Sequence, residues 1–312
     1  MPAYGINLDA LTINIYIWFA SYTIVLYDYI CTFRTEVAYA WPCPWSPGLV
    51  LFYLNRYLPF VDIIIFMRTT LFPFASPSAC LWTLPLMTWV AVFGLFVSET
   101  IILLRTYAMW GGRTSIHWIF LVVVLGIFST MLALLAWKTA LDYKESVSLV
   151  GEVPPDQFSC QVSAFSFANQ STLCLLIFYL LAFVGEAIIV TLTAIKAKQH
   201  VPKVSTLWIS ELYKTGIIYC CCMLTLSLIN SIMIFFGPVA YKPIFIIPER
   251  ALHSVFCNRV VFLVLKNRMP RRGEDIETNR RSTYRGSTTD VFTSFFSDTN
   301  VDAQEVSSGT IP

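Results

Sequence analysis

Long apolar stretches separated by short polar breaks run along most of the chain, and the stretches have the length a helix needs to cross a bilayer. A spanning helix takes about 20 mostly apolar residues, and six blocks meet this: 11–33, 48–70, 81–105, 117–137, 172–194 and 215–236. A seventh, 244–266, is more polar, with Pro248, Glu249, Arg250 and Arg259 inside it. It is read as a spanning helix that faces the bundle or starts irregularly. Glu249 and Arg250, close to one membrane face, are expected to reach back to the headgroups. From Arg271 onward Ser, Thr, Asp, Asn and Gly dominate, so 269–312 is expected to be a disordered tail. The prediction is an all-α membrane bundle of about seven transmembrane helices over 1–268, followed by that tail.

Composition points the same way. Hydrophobic residues make up 56% of the chain and charged ones 13%, against about 25% charged in soluble domains, so the chain lacks the polar surface to cover itself in water. Membrane lipids are therefore its first expected partner. The net charge of +2 is too small to suggest nucleic acid, which is not expected as a partner. No cleavable signal is visible, because 1–10 carries Asp9 and no Lys or Arg.

Direction follows from the basic residues, which collect on the cytosolic side of membrane proteins. Arg34, Arg105, Arg113, Lys196, Lys198, Lys203, Lys214, Lys266, Arg268, Arg271 and Arg272 fall on one side. Arg68, Lys138, Lys144, Lys242 and Arg250 fall on the other, which places the amino terminus outside and the carboxy terminus in the cytosol, with the plasma membrane as the favoured location. Trp41, Trp45, Trp82, Trp110, Trp118, Trp137 and Trp208 stand near expected helix ends, where amphipathic rings prefer the headgroup zone. The longest outer loop, 138–171, carries Cys160, and Cys80 stands at the outer start of the third helix. Both face an oxidising side, so they are candidates for a disulfide; the alternative is two free or buried thiols. The sequon Asn169-Gln170-Ser171 lies so close to the fifth helix that modification is not expected. In the tail, Arg280-Arg281-Ser282-Thr283 has the form of a basic-directed phosphorylation site at Ser282 and Thr283, which would offer a cytosolic partner a switchable contact.

Ionisable residues inside spanning helices are costly and point to a partner or a cavity. Counted at about 1.5 Å per residue from the expected inner ends, Asp28, Arg56, Glu99, Glu186 and Arg259 fall in one layer on five helices. They are expected to form a mixed-charge network, with Asp28 and Glu99 as the acids for Arg56, and to fix helix packing more than to carry chemistry. Asp62 and Asn230 fall near mid-membrane, where they would line a ligand cavity or bond across helices.

Catalytic motifs are missing. His117, His200 and His253 are scattered, so no histidine pair or Cys-His cluster assembles locally, and no metal or other cofactor is expected. The run Cys220-Cys221-Cys222 sits in an apolar block without metal-ligand spacing. There is no phosphate-binding loop, nucleophile elbow or dinucleotide fingerprint, so the chain is not read as an enzyme.

Tyr27-Asp28-Tyr29, followed by Thr32, Phe33, Glu36, Trp41 and then Leu51-Phe52-Tyr53-Leu54-Asn55-Arg56-Tyr57, resembles a large fungal family of multi-pass membrane proteins. That family is defined by an amino-terminal domain of unknown function, here over 16–60. Leu104-Arg105-Thr106-Tyr107-Ala108-Met109-Trp110 and Leu252-His253-Ser254-Val255 with Arg259 look like its later elements. The resemblance implies a basidiomycete-type membrane protein, and it brings no established activity. It also implies that Asp28, Glu36, Asn55 and Arg56 share one structural unit at the inner ends of the first two helices.

The leading functional reading is a receptor-like or sensor protein for an unknown small molecule, by analogy of architecture. The last helix lacks an Asn-Pro-x-x-Tyr element and the sixth a central proline, so it is no ordinary rhodopsin-type receptor. The alternatives are a transporter or channel that uses the charged layer, and a structural membrane component without a ligand.

Overall fold

A computed structural model of the protein describes residues 8–71, 77–110, 118, 122–152, 169–200 and 207–278. Among them every regular element is helical: α1 (Leu8–Tyr39), α2 (Pro47–Leu71), α3 (Pro77–Met109), α4 (Ser129–Glu152), α5 (Asn169–His200), α6 (Leu207–Phe236) and α7 (Ile246–Thr278). A π-helical turn, Val123–Phe128, leads into α4, and a 3₁₀ turn, Val239–Tyr241, precedes α7. All helices but α7 are long and apolar enough to cross a membrane, the pattern of a multi-pass membrane protein. Exposed side chains such as Tyr16, Ile30, Ile64, Trp82 and Phe236 suit a hydrocarbon solvent and not water.

Local sequence sets the helix limits. The Ser46 hydroxyl accepts from Leu49 N at 3.3 Å, and Pro47 takes the first helical position, where its missing N–H is no loss. At the end of α6, Gly237 N donates to Met233 O at 2.8 Å, and a Cβ on Gly237 would stand 2.3 Å from that oxygen, so only glycine closes the helix there.

Some limits differ from those read in the sequence. α1 continues through Glu36 to Tyr39, past the expected end at residue 33. The segment expected to be a loop from residue 138 is helical to Glu152: Lys138 pairs with Asp142 one turn later, and Ala140, Leu141, Lys144 and Glu145 favour helix. The backbone of α7 continues to Thr278, into the stretch read as tail.

α7 fails the hydropathy test because of where it stands. It packs against α1, α2, α3 and α6, and from Ile247 to Phe262 every residue but Pro248, Leu252, Phe256 and Arg259 is buried. A helix walled by protein meets partners and not lipid, so it tolerates the polar groups that would be expelled from a lipid-facing helix. Apolar clusters close both ends of the bundle around it. Phe52, Val97, Ile101, Val261, Phe262 and Leu265 pack at the end where α1 finishes, and Tyr22, Ile63, Phe66 and Ile247 at the end where α1 begins.

Candidate functional site

Where α1 ends and α2 begins, Arg56 Nε donates to Glu36 Oε2 at 2.5 Å, with both side chains almost fully buried. Its Nη1 donates to the Thr32 hydroxyl at 3.0 Å and its Nη2 to Tyr29 O at 3.5 Å. The guanidinium lies over the rings of Tyr29 and Phe262, 4.8 and 5.0 Å from their centres. The other Glu36 oxygen accepts from Tyr57 Oη at 2.8 Å and from Trp41 Nε1 at 3.4 Å. One ion pair thus gathers Tyr29, Thr32, Glu36, Trp41, Arg56 and Tyr57, all positions of the motif quoted above.

Asn55 ties the same unit to α3 and α7. Its Nδ2 donates to Asn258 Oδ1 at 2.8 Å and Ser254 O at 3.1 Å, while its Oδ1 accepts from Ser98 at 2.5 Å. The Ser254 hydroxyl closes the loop by donating to Asn55 O at 2.7 Å. Asp28 meets α7 separately, accepting from Arg259 Nε at 2.7 Å; Asp28 is buried, whereas the Arg259 side chain is half exposed.

Higher in the bundle, Arg250 faces Asp62 at 3.6 Å. Its guanidinium lies on Gly94, where any Cβ would come within 2.0 Å of Nη2, so the missing side chain of Gly94 is the space Arg250 occupies. Its neighbour Glu249 accepts from Ser227 at 2.8 Å and from Asn230 Nδ2. One turn further, His253 stands between Glu99 and Glu186, Nδ1 3.5 Å from Glu99 and Nε2 3.1 Å from Glu186.

Beyond this polar column, at the end where α1, α3, α5 and α7 begin, lies a cavity of about 200 Å³. Trp18, Phe66, Met87, Ala91, Leu135, Phe178, Ile246 and Ile247 give it apolar walls from α1, α2, α3, α4, α5 and α7. Its polar lining includes Lys138, Asp142 and Tyr179, with Lys138 paired to Asp142 and Ser171 donating to Asp142 at 2.5 Å.

The five residues expected in one charged layer fall into separate groups. Asp28 is with Arg259, Glu99 and Glu186 are on either side of His253, and Arg56 takes Glu36 rather than Asp28 or Glu99. Asp62 and Asn230 meet successive α7 residues instead: Asp62 faces Arg250 at 3.6 Å, and Asn230 Nδ2 donates to Glu249. Glu249 and Arg250 do not reach headgroups as expected but are buried, because the 3₁₀ turn and Pro248 start α7 inside the ring of helices. His253, read as an isolated histidine, has both its charged neighbours on other helices. The side chains of Cys80 and Cys160, and Ser282 and Thr283, lie outside the described residues.

Comparison with protein families places a domain of a family of unknown function, DUF6533, at residues 16–61. This interval is most of α1 and the greater part of α2, and it contains both members of the Arg56–Glu36 pair. No curated protein matches the chain.

Proposed function

We propose that this membrane protein is a receptor-like seven-helix sensor, with the amino terminus and the 200 Å³ cavity on the outer side and the carboxy-terminal segment in the cytosol. The cavity carries the reading. A largely apolar hollow walled by several helices, with a few convergent polar groups, is the usual form of a small-molecule site. Its lining calls for a small, mainly apolar ligand whose polar end meets Lys138 and Asp142. Ile246 and Ile247 belong to the wall, and Glu249 and Arg250 follow on the same helix within one turn. A ligand pressing on that wall therefore acts on the helix that carries the polar column, the kind of differential contact by which a ligand shifts a conformational equilibrium. Transport along the charges has less support, since they are gathered in separate local groups. Arg280-Arg281-Ser282-Thr283 would give such a sensor a phosphorylation site on its cytosolic side.

The test is a thermal-shift screen of the detergent-purified full chain against small apolar amines, acids and alcohols. A ligand at 100 times its Kd adds about 2.7 kcal/mol of stability, so at least one compound is expected to give a saturable rise in Tm. Ala91→Trp, which fills the cavity from α3, is expected to remove that rise while the apo protein stays monodisperse. The reading fails if no compound stabilises the protein, or if Ala91→Trp responds as the parent does.

A further inference from the structure

Glu99 of α3, Glu186 of α5 and His253 of α7 bring two carboxylates and an imidazole together inside the bundle, with their ligand atoms all within 4.8 Å of one another. Two of their polar atoms find no hydrogen-bond partner: His253 Nδ1, in a residue 1% exposed, and Glu186 Oε2, in a residue 6% exposed. The three residues border a cavity of about 10 Å³, with Cys220 and Met223 of α6 on its far wall. That is close to the smallest volume that holds a single water molecule.

The charges around this hollow are unbalanced. Glu249, one turn before His253, adds a third carboxylate nearby, though it is already held by Ser227 and Asn230. On α7 Arg250 faces Asp62 and Arg259 meets Asp28, and on α3 the guanidinium of Arg105 lies against Gly216. A proton on the imidazole would offset one carboxylate and leave the other uncompensated in a dry interior, where lone charges are strongly disfavoured. A divalent cation offsets both, uses the imidazole as a neutral nitrogen ligand, and supplies what the two orphan atoms lack.

We propose that Glu99, Glu186 and His253 form a binding site for one divalent transition-metal ion, Zn²⁺ foremost, joining α3, α5 and α7. Mixed imidazole and carboxylate ligands suit Zn²⁺ and its neighbours, whereas Mg²⁺ and Ca²⁺ prefer all-oxygen shells. The ligand atoms stand wider than they would around a bound ion, and rotation of the flexible glutamate side chains closes the difference. A water in the small hollow completes the shell. The site lies deeper than the proposed ligand cavity and holds whether or not that cavity takes a ligand.

The experiment strips the full-length protein in detergent with a chelator, reloads it with ZnCl₂, desalts it, and measures metal content and Tm. About one Zn²⁺ per chain is expected to remain, with a raised Tm. Glu186→Gln and His253→Gln are expected to weaken binding at least 10-fold, and Asp9→Asn, exposed at the start of α1, to leave it unchanged. Should the site variants not fold, X-ray absorption of the zinc-loaded parent decides, with nitrogen and oxygen ligands including one imidazole expected. The proposal is overturned if the parent retains no zinc and its Tm does not move, if monodisperse site variants bind as the parent does, or if the shell is sulfur-dominated or lacks imidazole.

Discussion

Arg56 uses its guanidinium on three sides: Glu36 takes Nε, Thr32 takes Nη1, and the Tyr29 carbonyl takes Nη2. A buried ion pair is worth having only when its remaining donors and acceptors are met, because the cost of drying two charges otherwise exceeds their attraction. Here Tyr57 and Trp41 meet the second carboxylate oxygen. Removing one partner should therefore cost far more than removing both. Arg56→Met, which strands Glu36, is expected to destabilise the protein by about 3–5 kcal/mol, whereas Arg56→Met with Glu36→Gln should recover most of the loss. Tyr57→Phe removes one hydrogen bond and should cost about 1.5–3 kcal/mol, the range for bonds to a charged group. Thermal unfolding of the purified variants measures all three, and equal losses for the single and double changes would show that the pair contributes nothing as a pair. The sequence singled out Arg56 as an intramembrane charge but offered it the wrong acids. The reason is a boundary: with α1 ending at residue 33, Glu36 fell outside the membrane, and the last turns of α1 bring it inside.

The helices themselves were legible where hydropathy alone decides. α2, α3 and α6 stand close to the apolar blocks, because lipid-facing helices must be apolar throughout and their edges coincide with polar residues. α7 was harder to read, since its character depends on neighbours that no local window contains, and so were its partners. Arg250, His253 and Asn258 find contacts on helices distant in sequence, and Glu249 finds its own on the preceding α6. The one signal in the sequence was the unusual density of polar residues in a helix that still had to be buried. α4 was misplaced for the opposite reason. Its second half is polar enough to look like a loop, yet nothing between Lys138 and Ser148 breaks a helix. A cysteine scan over 138–148 is accordingly expected to show labelling rates that repeat every three to four positions, with exposed Ala140 and Val147 fast and position 138, buried in the cavity wall, slow. Uniformly fast labelling across the scan would restore the loop.

The bundle as a unit has two unlike ends, and their difference in charge predicts a direction for it in the membrane. Exposed Arg34, Lys198 and Lys266 stand at the end where α1 finishes, and the sequence adjoining those helix ends carries Arg113, Lys203, Lys214, Arg268, Arg271 and Arg272. Arg68, Lys138, Lys144 and Lys242 stand at the other end, where Lys138 is neutralised by Asp142. Because basic residues near spanning segments are retained on the cytosolic side, the turn between α1 and α2 should be cytosolic and the turn between α6 and α7 should face the lumen or exterior. Two exposed positions report on this directly: Trp45 in the first turn, 77% exposed, and Val239 in the second, 50% exposed. In sealed microsomes, whose outer surface is the cytosolic one, Trp45→Cys is expected to react with an impermeant maleimide above the level of the native cysteines, and Val239→Cys only after detergent is added. The reverse pattern would invert the molecule and turn the 200 Å³ cavity toward the cytosol. A receptor for external molecules would then be untenable, whereas the metal site proposed for Glu99, Glu186 and His253 does not depend on the direction of the bundle.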